Sequence, residues 1–113
     1  MDLLKAIVPH LSSRLSVRVA TERPENAPRN MVIVSRTGGG GSMFDDRASI
    51  SVESWGESES AAYKLGMAAS AAMFDLPASA VNVADVQEDT FYSATLPDGT
   101  RRWMGMYTVY TNR

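Results

Sequence analysis

Apolar residues recur at intervals of three and four along the start of the chain. Leu4, Ile7, Val8, Leu11 and Leu15 share one face, which predicts an amphipathic helix over residues 2–15. Asp2 suits the positive start of that helix. Pro9 interrupts it and predicts a short, bent or split helix, because proline removes a backbone donor and crowds the preceding turn. Residues 17–20 form a brief strand candidate. The polar stretch 21–30 with Pro24 and Pro28 reads as an irregular connection. Residues 31–35 carry Val32, Ile33 and Val34 in succession, the pattern of a short strand covered on both faces. Residues 48–55 alternate instead. Ile50 and Val52 point one way and Ser49, Ser51 and Glu53 the other, which predicts a half-buried strand.

A second helix is expected after Trp55. Ser54 with Glu57 has the spacing of a capping box, and Ser58 is the rival N-cap. Glu57 and Glu59 suit the first turn. Ala62, Leu65, Ala69, Ala72 and Met73 form its apolar stripe, with Leu65 turned toward a sheet, and Pro77 is expected to stop it. Residues 81–86 are a further strand candidate that can extend to Tyr92. A turn with Asp98-Gly99 at its centre occupies 96–100. Residues 103–110 carry aromatic and branched residues on both faces and read as a strand inside a sheet or interface. The expected order is α-β-β-β-α-β-β: an α+β domain with a mostly antiparallel sheet and two helices on one face.

Residues 36–47 punctuate this pattern. Gly38, Gly39, Gly40 and Gly41 follow one another, and Ser42, Met43, Phe44, Asp45, Asp46 and Arg47 complete the segment. Each glycine loses much backbone freedom on ordering, so a flexible hairpin loop is expected. Met43 and Phe44 place apolar groups at its tip. The segment can therefore reach beyond its own domain.

Composition narrows the functional classes. With 113 residues, 44% of them hydrophobic and 21% charged, the chain suits one small domain with a thin core. A net charge of −2 gives no basic surplus for nucleic acid. The absence of cysteine excludes disulfides and thiolate chemistry. No run approaches the roughly 20 apolar residues of a membrane span. The start of the chain lacks the pattern of a secretory signal. A soluble cytoplasmic protein is expected.

Candidate chemistry is sparse. His10 is the single histidine and is expected on the helix surface. Asp45-Asp46 lacks the ligand spacing of a calcium loop. The glycine run lacks the lysine and the following helix of a phosphate loop. Glu57, Glu59, Asp85, Glu88 and Asp89 read as solvated charges at helix starts and strand edges. Trp55 and Trp103 are candidate interface aromatics. Together with Tyr92 they offer an alternative, a domain that stacks a small ligand or peptide.

The ordered series of features carries a resemblance. A short helix precedes Val17-Arg18-Val19 and a proline-containing connection. There follow Met31-Val32-Ile33-Val34-Ser35-Arg36-Thr37-Gly38-Gly39 and Asp46-Arg47-Ala48-Ser49-Ile50-Ser51-Val52-Glu53-Ser54-Trp55-Gly56. Ser58-Glu59-Ser60-Ala61-Ala62-Tyr63-Lys64-Leu65 opens an alanine-rich helix, and Arg101-Arg102-Trp103-Met104-Gly105-Met106-Tyr107-Thr108-Val109-Tyr110-Thr111 ends the chain. Over about residues 3–111 this resembles the tail terminator, or tail completion, proteins of long-tailed bacteriophages. The resemblance implies a structural virion protein without enzymatic activity, cofactor or metal. It implies a hexameric ring on the head-proximal end of the tail tube. Its partners would be itself, the major tail tube protein and the head-completion or neck protein. Under this resemblance, residues 38–47 are a candidate for contact with a neighbouring subunit or the tail tube. Its location would be the head–tail junction of the virion, after assembly in the host cytoplasm. A neck, head–tail connector or minor tail protein is the alternative within that class. The run of four glycines is longer than the resemblance leads one to expect.

Overall fold

The computed structural model describes residues 3–43, 45–80 and 82–112. The expected contributions of Asp2, Phe44 and Val81 lie outside these residues. The first helix, α1 (Leu3–Arg14), follows the repeat in the sequence and buries Leu3, Ile7 and Leu11, with Leu15 just beyond its end. Leu4 and Val8 are half-buried at the margin of this face. Pro9 sits inside one continuous helix and on its exposed side. The carbonyl that proline leaves without a donor can there be solvated.

Five strands follow in one sheet of order β1-β2-β3-β5-β4: β1 (Arg18–Ala20), β2 (Met31–Gly41), β3 (Asp45–Gly56), β4 (Val83–Ser93) and β5 (Arg101–Asn112). β1 runs parallel to β2, and the other pairings are antiparallel. The domain is thus α+β with a mostly antiparallel sheet. β3 and β5 pair over their whole length, from Asp45 opposite Asn112 to Gly56 opposite Arg101. The β4–β5 turn closes through Leu96 N–H to the Thr100 carbonyl, and the Asp98 carboxylate accepts the Thr100 N–H at 2.9 Å. Hydrogen bonds from Thr100 hold the Asp98 carboxyl below its ordinary value.

Between β3 and β4 lie α2 (Glu59–Phe74) and the one-turn helix α3 (Leu76–Ser79). Ser58 is the N-cap; its hydroxyl accepts the Ala61 N–H at 3.1 Å. Ser54, the competing candidate, is instead buried in β3. β3 passes directly into this cap because Gly56 lies against α2. A Cβ there would stand 2.3 Å from the Ala62 backbone nitrogen. α2 does not run on to Pro77. It ends at Phe74 with Asp75 as its C-cap, and Pro77 occupies the first turn of α3, where its missing donor costs little.

Alternation along the strands divides the core. Val32, Val34, Ile50, Val52, Tyr107 and Val109 join Leu3, Ile7 and Leu11 of α1 and Ala69, Ala72 and Met73 of α2 in the main cluster. Leu65 packs against it but is only half-buried. The opposite face holds a smaller cluster, Met31, Ile33 and Trp55, covered by Ala20, Ala27 and Leu96.

Two readings of side chains need correction. His10 is buried, not on the surface. It lies between the helices, with Nε2 2.6 Å from the Ala72 carbonyl oxygen. The bond to a carbonyl 62 residues away compensates the burial of the ring nitrogen. Glu88 is half-buried, and its Oε1 accepts hydrogen bonds from Ser70 at 2.8 Å and from Tyr107 at 3.2 Å. These bonds tie α2, β4 and β5 together. Burial, first of all, raises the Tyr107 phenol above its ordinary value; the Glu88 charge adds to the shift, against an opposing bond from Ser70.

Candidate functional site

Residues 36–41 and 45–47 form the two sides of a ladder rather than a loop. Gly38, Gly39, Gly40 and Gly41 are the end of β2 and pair with Ser49, Ala48, Arg47 and Asp46. Glycine carries no side chain, so the alternation that marks a strand is invisible there. The backbone nonetheless finds partners on β3, itself held on its other edge by β5. A β-bulge between Arg36 and Gly38 re-aims the strand. Gly39 takes a φ of +145°, and a Cβ on it would stand 2.1 Å from the Arg47 carbonyl oxygen. Only glycine fits that position.

What remains of the expected loop is a short tip. The Ser42 N–H donates to the Asp45 carbonyl at 2.8 Å, and the Asp45 N–H donates to the Ser42 hydroxyl at 3.2 Å. Met43 stands 81% exposed between them. Phe44, the other apolar residue expected at the tip, lies outside the described residues. Arg36 and Asp46 approach to 3.5 Å across the hairpin.

Four of the sequence-derived residues, Gly41, Ser42, Asp45 and Arg47, share a shallow recess with Ala84, Tyr110, Thr111 and Asn112. Arg47 and Tyr110 are register partners on adjacent strands, so their side chains project from the same face. Sequence reading missed Tyr110 and Asn112 because they belong to the far end of the chain. Only the full-length β3–β5 pairing brings them beside the tip. The recess offers a cation, a carboxylate and a phenol, a set suited to recognition by shape and charge.

Trp55 and Trp103 do not converge. Trp55 pairs with Arg102, and Trp103 with Ser54, so the two indoles leave opposite faces of the sheet. Trp55 is buried in the smaller cluster with the Arg23 guanidinium 4.5 Å from its ring centroid. Its indole N–H is buried with no partner among the described residues. Trp103 lies on the helix side with Tyr63 and Phe91, and its N–H donates to Glu59 at 2.9 Å. Tyr92 faces Met104 in register, on the side opposite Trp103. The stacking site that needs these three rings together is not assembled.

Past the smaller cluster, the face opposite the helices is open. Met104, Met106, Thr108 and Tyr110 of β5 line it, half-buried, beside Ser49 of β3. The Arg102 guanidinium pairs with Glu53 where the covered and open parts meet. Among the described residues no group of three or more histidines and acids is placed to hold a metal ion, and no helix is long and apolar enough to cross a membrane. No protein-family model matches the chain, and no curated protein matches it.

Proposed function

We propose that this chain is a structural assembly subunit of the tail terminator type. It would form a ring, commonly a hexamer, on the head-proximal end of a phage tail tube, stop tube growth and meet the neck protein. The observation that carries a protein-binding role is the open sheet face. Its row of Met104, Met106 and Tyr110 runs to the tip bearing the exposed Met43. Methionine and aromatic residues are favoured in interface cores, where an adaptable or rigid apolar surface excludes water. Arg47 and Asp45 rim that surface and can set register with a partner. The particular partners, a second copy, the tube protein and the neck protein, come from the ordered series of motifs that resembles the terminators.

The test is to add purified chain to polymerising tail tube protein and measure tube lengths by electron microscopy. Short, capped tubes with a ring at one end are expected. Unchanged length distributions at saturating chain overturn the terminator reading. A ring that instead binds only the portal or head-completion side would move the protein to the neck.

A further inference from the structure

We propose that α2 is a self-complementary surface on which two copies of this chain pair antiparallel about a two-fold axis. This contact goes beyond the ring reading and rests on different residues. From Leu65 to Phe74 the helix carries no charged residue, although one side of it faces solvent. Tyr63, Met67 and Phe74 are 43, 48 and 49% exposed. At about 100° per residue these three fall within about 40° of one another on the helix circumference. The rings are held by the domain itself: Tyr63 against Trp103 at 5.0 Å between centroids, Phe74 against Tyr107 at 6.5 Å. The surface is therefore preorganised, which lowers the entropic cost of association.

The choice of a second copy follows from the spacing. A two-fold axis perpendicular to the helix, level with residue 69, exchanges the two ends and keeps each lateral edge on its own side. Tyr63 of one copy then meets Phe74 of the other along one edge. Lys64, on the other edge, meets the Asp75 carboxylate, whose side chain is 61% exposed beside Arg14. Met67 meets Ala71 between them, and small residues there let the backbones approach closely. Apolar against apolar and cation against anion thus match in one arrangement. A parallel pair, related by an axis along the helix, exchanges the edges and would set Lys64 against Tyr63 and Asp75 against Phe74, charged against aromatic. A helix of 16 residues is about 24 Å long. The contact lies at the small end of interface sizes, so association should be weak and concentration-dependent.

Sedimentation velocity on the whole chain tests this, over about 10 µM to about 1 mM, where small interfaces associate. The mass should rise from 12.3 kDa toward twice that value. Met67→Glu should weaken association at least about tenfold, since it buries an unpaired charge. Position is tested by cross-linking, because the chain has no cysteine of its own. Ala71→Cys places the two Cα atoms about 6 Å apart along the helix axis, and the copies should be joined by a short bismaleimide cross-linker, whereas Ser60→Cys places them about 27 Å apart and should not be joined. A monomer at every concentration overturns the proposal and leaves the face to a different protein. Dimers that ignore Met67→Glu, or that cross-link equally at Ser60, overturn it as well.

Discussion

The two halves of the β2–β3 hairpin share one ladder and little else. At its base, Met31–Val34 oppose Val52–Trp55, and every one of these residues except Glu53 is buried. At its far end, Gly38–Gly41 oppose Asp46–Ser49, and only Ala48 is buried. The base is held by side chains on both faces of the sheet. The far end is held by backbone hydrogen bonds and by β5 alongside. Hydrophobic burial scales with apolar area, so the base should carry the stability. The far end, with little to bury within its own domain, is free to carry contacts with others.

Truncation at the base should produce the largest effect. Trp55→Ala removes a buried ring from the smaller cluster and should cost about 3–5 kcal/mol, a large part of the stability of a small domain. Urea denaturation measures it; a midpoint unchanged from the parent would place the weight of the fold elsewhere. At the far end the backbone is the sensitive element. Gly39→Ala forces a Cβ against the Arg47 carbonyl at positive φ and should cost about 1–3 kcal/mol. Gly38→Ala meets nothing within 4 Å and should be neutral or stabilise by up to about 1 kcal/mol. Equal effects at the two glycines would mean that the far end is not the ladder described.

How far the sequence revealed this architecture depended on side-chain periodicity. Both main helices, the strands at 31–35 and 48–55 and the last strand followed from repeats of three to four or of two. The glycine half of β2 could not, because its partners are backbone groups. His10 and Glu88 were misplaced for a related reason. A polar residue tolerates burial when a distant chain segment supplies its hydrogen bond, here Ala72 for one and Ser70 with Tyr107 for the other. The tip residues of the candidate site were visible from their composition. Tyr110 and Asn112 were not, since only the β3–β5 register puts them there.

Tyr107 stands opposite Ile50, between the two halves, and tests whether they unfold together. Its ordinary value is 10.0, and burial raises it in the folded chain. The folded state therefore keeps a proton that the unfolded state surrenders. The stability this contributes is complete below pH 10 and is lost as pH rises above it. Absorbance at 295 nm should show one phenol ionising late, together with alkaline unfolding, and Tyr107→Phe should abolish that phase. The substitution also removes the bond to Glu88 and should cost about 1 kcal/mol. A late phase that survives in the variant would assign it to another tyrosine.

The smallest effect on stability should accompany the largest effect on assembly. Met43 is 81% exposed at the tip, so Met43→Ser removes almost no burial within the domain and should change stability by less than about 0.5 kcal/mol. The turn itself is closed by Ser42 and Asp45 and does not use the thioether. The strands on either side of the tip are paired through four glycines and β5, so the backbone that carries Met43 is tied to the sheet at both ends. Under the terminator reading, Met43→Ser should keep the parent's melting temperature and lengthen the tubes formed in its presence. Arg47→Ser, which changes the charged rim, should act more on the salt dependence of capping than on its extent. If Met43→Ser caps tubes as the parent does, the tip makes no assembly contact. The binding surface then narrows to Met104, Met106 and Tyr110 on the open face, where Met106→Ser becomes the decisive variant.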